Sequence, residues 1–103
     1  MRPVRNNMSG SYDPTDLRLD GLPVFLSNTA YIASVSLRMT LYDIVAILEQ
    51  GIDCSSSTRR AGVLEKCATF RKEWIKVVAV RDFRRDIGEE CWLIVHLGTA
   101  GRP

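Results

Sequence analysis

The chain has 103 residues and a mass of 11.6 kDa, enough for one hydrophobic core and no more. Hydrophobic residues make up 46% and charged residues 25%, an ordinary globular balance that excludes disordered, collagen-like and fibrous classes. The net charge of +2 is unevenly spread: Arg59 to Arg85 sets nine basic residues against three acidic ones, between two flanks that are mildly acidic.

Residues 1–20 carry Pro3, Asn6, Asn7, Ser9, Gly10, Ser11 and Pro14 with almost no apolar periodicity, and they read as a flexible arm. The start lacks the apolar run of a secretory signal. A single domain is expected over 21–98, with 99–103 as a tail. Leu22 to Leu26 is a short apolar run suited to a brief strand. Asn28 suits the N-cap of a helix over about Thr29 to Leu37. There the β-branched Thr29, Ile32 and Val35 keep a strand in competition. The uncharged stretch Gly21 to Leu37 is too short and too polar to span a bilayer, so no membrane partner is expected.

Leu41 to Gln50 is a clearer helix. Thr40-Leu41-Tyr42-Asp43 resembles a capping box, Leu41, Ile44, Val45 and Leu48 recur at helical spacing, and Gly51 follows where a left-handed terminal residue is wanted. Cys54 to Gly62 is a polar, mobile loop. The period then changes. Val63 to Phe70, Trp74 to Phe83 and Cys91 to Leu97 are rich in β-branched and aromatic residues, with a hairpin turn at Arg71-Lys72-Glu73 and a longer one over Arg84 to Glu90. The pattern predicts an α+β fold, with one or two N-terminal helices packed on a curved antiparallel sheet of three to four strands. Cys54, Cys67 and Cys91 form no CxxC and cannot all pair, which argues against a disulfide scaffold and for a reducing cytoplasm.

Val24 to Gly51 and Gly62 to Gly98 together resemble a family of small prokaryotic, largely archaeal, proteins of unknown function grouped with RelE-type toxins and barnase-like ribonuclease folds. Phe25, Ser27, Thr40 and Gly51 match its first half, and Gly88-Glu89-Glu90-Cys91-Trp92 is the most distinctive stretch of the second. The resemblance implies a RelE-like fold and a place in toxin–antitoxin biology. The chain departs from the family at Thr29, where the pattern has histidine, and at Ala33 and Leu37, where it has arginines. Arg38 stands at the turn glycine.

A metal-independent ribonuclease needs an acid–base pair and cations for the phosphorane. His96 is the one histidine, the residue type suited to acid–base work near neutral pH, and with Arg81 it forms the candidate catalytic pair. Arg59, Arg60, Arg71, Lys72, Arg84 and Arg85 are the candidate phosphate contacts for RNA. No nucleotide-binding, zinc or serine-nucleophile motif occurs, and no metal or cofactor is expected. The second reading is a non-catalytic module that keeps the fold and binds a protein partner or a second copy of itself.

Overall fold

The computed structural model describes residues 17–54 and 61–102. Along them run β1 (Arg18–Leu19), β2 (Leu22–Leu26), α1 (Asn28–Leu37), α2 (Leu41–Gln50), β3 (Ile52–Asp53), β4 (Val63–Phe70), β5 (Glu73–Arg84) and β6 (Glu89–Thr99). The six strands form one curled, mixed sheet in the order β1-β2-β6-β5-β4-β3. This corrects the expected antiparallel sheet of three to four strands. The meander of β4, β5 and β6 is antiparallel, but β2 lies parallel to β6, with Val24 opposite Trp92 and Leu26 opposite Ile94. That pairing joins chain segments far apart in sequence, and no local period encodes it. The two-residue strands β1 and β3 are too short to show alternation at all.

Both helices pack on one face of the sheet. Val24, Ile75, Val77, Ala79, Ile94 and Leu97 meet Ala30, Ile44, Val45, Ile47 and Leu48, all of them buried. Each valine, leucine or isoleucine among them contributes about 1.5–3 kcal/mol on leaving water. The folded body starts before residue 21, since Leu17 packs on the core and Leu19 is buried within β1. The rest of the expected arm, residues 1–16, lies outside the described residues, as do residues 55–60 of the expected loop.

Helix α1 is capped one residue earlier than Asn28. The Ser27 hydroxyl accepts from the Ala30 N–H at 3.1 Å. Helix α2 has a full capping box: the Asp43 N–H donates to Thr40 Oγ1 and the Thr40 N–H donates to the Asp43 carboxylate. A cap of this kind stabilises a helix by about 1 kcal/mol. Gly51 is not left-handed; its φ of −72° and ψ of 171° are extended. Glycine is needed there for another reason. A Cβ at 51 would lie 2.5 Å from the Ile47 carbonyl oxygen and 2.8 Å from that of Cys67. Only a residue without a side chain lets the end of α2 approach β4 so closely.

Strand β6 contains a bulge. Ala79 pairs with Ile94 and Val78 with His96, so Val95 is an extra residue on the β6 side. The alternation therefore breaks, and Ile94 and Leu97 both face the core although three positions separate them.

Candidate functional site

The bulge decides the fate of the candidate catalytic pair. His96 pairs with Val78 and Arg81 with Trp92. Val78 and Arg81 are an odd number of residues apart on β5, so their side chains point to opposite faces. Arg81 lies on the helix-packed side, ion-paired with Glu90 and placed over the Trp92 ring at 5.5 Å. His96 is exposed on the other side. Its Nε2 sits 3.4 Å from where a Cβ on Gly98 would be. No single substrate atom reaches both groups.

Among the described residues the candidate phosphate contacts divide into two remote sets. Arg71 and Lys72 form the tight turn between β4 and β5, and Arg84 and Arg85 close the opposite end of β5. Twelve residues of extended chain separate the two ends by roughly 35 Å. Arg84 is held by Asp86 in a two-point contact, Nε to Oδ1 at 2.9 Å and a terminal nitrogen to Oδ2 at 2.8 Å. That hydrogen-bonded guanidinium lowers the Asp86 carboxyl below its ordinary range. Arg84 also lies over the Phe25 ring at 4.4 Å. Lys66 pairs with Asp53, Lys76 with Glu65 and Arg18 with Glu89. Arg71 stacks over Phe70 at 4.7 Å. Sequence reasoning missed Arg102, which the Ala100–Trp74 backbone bond brings to the same end as Arg71 and Lys72. Arg59 and Arg60 lie outside the described residues.

The cysteines also depart from expectation. Cys54 and Cys67 are joined in a disulfide, and Cys91 is the free, buried cysteine. Counting an odd number of thiols says nothing about which two the sheet brings together; the pairing of β3 with β4 does that. Burial raises the Cys91 thiol above its ordinary value, and Asp82 opposite it adds to the rise. Among the described residues no group of three His, Cys, Asp or Glu side chains is placed to hold a metal. No single helix there is long and apolar enough to cross a membrane. A shallow groove of about 270 Å³ lies between α2 and β4, lined by Asp43, Ala46, Ile47, Gln50, Ala68 and Phe70. The one carboxylate in it already serves the capping box.

No family model matches this chain, and no curated protein or solved structure matches it significantly. The RelE-type resemblance thus rests on the quoted residues alone.

What stands out on the surface is a helix. All ten residues of α1, Asn28–Leu37, are uncharged. Ala30 and Ser34 are buried against the sheet, yet Tyr31 is 57%, Ile32 61% and Val35 61% exposed. Tyr42, at the start of α2, is 53% exposed. A helix that lies on a sheet normally turns charged residues to water. This one does not.

Proposed function

We propose that this chain is a non-catalytic interaction module and that its partner is a second copy of itself, packed through α1. The observation that carries this reading is the uncharged outer face of that helix, with Tyr31, Ile32 and Val35 all more than half exposed. Its form suits self-association. Ile32 and Val35 flank the helix centre, so an antiparallel crossing about a two-fold axis sets Ile32 of one protomer against Val35 of the other. No like charges meet in that crossing, because α1 has none.

The available area sets the strength. A buried aromatic side chain covers roughly 150–250 Å², so the three exposed residues of α1, one of them aromatic, offer on the order of 300 Å² per protomer, less than half the share of a standard interface. A weak, concentration-dependent dimer follows, with a dissociation constant in the micromolar range. The separation of the cations favours this reading over RNA contact, which needs them on one surface.

Sedimentation velocity across a dilution series tests it. The wild-type chain is expected to shift from monomer to dimer, and Val35→Asp to remain monomeric with an unchanged circular dichroism spectrum. A wild-type chain that stays monomeric at high micromolar concentration overturns the reading.

A further inference from the structure

Strand β3 is short and lies at the edge of the sheet, and a covalent bond fastens it there. It is two residues long, it is the last strand of the sheet, and it pairs only with Lys66 and Cys67 of β4. Ile52 is 53% exposed and adds almost nothing to the core. The Asp53–Lys66 ion pair is solvent-accessible on both sides, and contacts of that type contribute little. Directly after β3 comes Cys54, bonded to Cys67, with 5.5 Å between the Cα atoms and both residues buried. The Cys67 carbonyl is also the oxygen against which Gly51 packs. One disulfide therefore fastens the end of α2, the edge strand and β4 at a single point.

We propose that Cys54 and Cys67 form a thiol–disulfide switch that pins or releases β3. The reductant is a low-molecular-weight thiol of the glutathione class. Its thiolate attacks Sγ of Cys54, the less buried of the two residues, forming a mixed disulfide and expelling the Cys67 thiolate, which takes a proton from water. A second thiolate attacks the mixed disulfide at the sulfur of the small thiol. This leaves Cys54 as a thiol and releases the small-molecule disulfide. Two electrons pass to the protein, two small thiols become one disulfide, and the reverse sequence reseals the bond.

The released state has a defined shape. Without the cross-link, β3 has two ladder pairs and exposed side-chain contacts, and a strand of that length is not stable alone. Its departure makes β4 the new edge of the sheet, with the backbone groups of Lys66 and Cys67 open to another strand. The core beneath β5 and β6 is untouched. Cys91 sits at the far end of β6 from this site and takes no part.

Thiol counting and hydrogen exchange on the full chain test this directly. After equilibration with glutathione disulfide, alkylation under denaturing conditions is expected to modify Cys91 only; after reduction, all three cysteines. On reduction, amide exchange over 52–54 is expected to rise on the order of 100-fold, the loss of a loop closure of this length, while 75–79 and 92–97 stay protected. A Cys54→Ser/Cys67→Ser chain should match the reduced wild type. Three alkylatable thiols in the oxidised sample overturn the proposal. So does unchanged exchange over 52–54 after the bond is cut.

Discussion

Replacing Gly51 with alanine isolates one close approach from everything else in the fold. Alanine is compatible with the backbone there, since φ is −72°. By restricting the unfolded chain it adds about 0.4–1 kcal/mol of stability. The opposing effect is steric. The new methyl group meets the Ile47 carbonyl at 2.5 Å and the Cys67 carbonyl at 2.8 Å, and both belong to the main chain, so no side chain can rotate away. The last turn of α2 must lift from β4 by several tenths of an ångström, and overpacking of that kind costs about 1–3 kcal/mol. The net loss is about 1–2 kcal/mol, which for a domain of this size lowers Tm by about 5–15 °C. Urea unfolding followed by circular dichroism measures it. Gly21→Ala is the contrast, because at Gly21 the φ of +80° is the whole obstacle and no atom lies within 4 Å. If Gly51→Ala is as stable as the wild type, the tight seat of α2 on β4 is wrong.

Two further outcomes follow from strained and charged positions. Arg71 and Lys72 hold φ values of 51° and 71° in a two-residue hairpin turn that favours Asn-Gly. Arg71→Asn/Lys72→Gly is expected to raise stability by about 1 kcal/mol in the same urea assay, and a loss would refute that account. The Asp86 carboxyl, held by Arg84, is expected to titrate below the ordinary carboxylate range by NMR and to return to it in Arg84→Ala. A folded-state value below the unfolded one means that the pair stabilises the chain above the unfolded midpoint. This support is lost as pH falls through the folded one. Identical Asp86 titrations in the two proteins would break the argument.

Local signals carried the local structure well. The Thr40–Asp43 box and the spacing of Ile44, Val45 and Leu48 define α2 without any tertiary information, and the aliphatic runs before and after Arg71 define β4 and β5. What stayed hidden was decided between segments. The parallel partner of β6 is β2, brought there by two helices, and two-residue strands carry no period. The bulge at Val95 was hidden for a subtler reason. The run from Trp92 to Leu97 is apolar at nearly every position, so its sequence fits either parity, and only the register against β5 sends His96 away from Arg81. That single residue puts the two side chains on opposite faces.

The basic third of the chain shows why charge in sequence and charge on a surface are different quantities. A strand turns successive residues to opposite faces, so Arg81 and Arg84, three apart, diverge, and an antiparallel neighbour brings a carboxylate to Arg81 from the adjoining strand. Glu90 reaches Arg81 across the β5–β6 hairpin and Glu65 reaches Lys76 across the β4–β5 hairpin. The partners of Arg81 and Lys76 thus come from a neighbouring strand, whereas Arg84 takes the adjacent Asp86. Helix α1 runs the other way. Its β-branched Thr29, Ile32 and Val35 left a strand in contention by sequence, and Ile32 and Val35 lie on the outer side of the helix. The sheet buries Ala30 and Ser34, while Tyr31, Ile32 and Val35 remain in water. The feature that weakened the helix signal is the one that leaves an apolar surface needing a partner, so both have one physical origin: an element with two apolar sides and only one core to cover them.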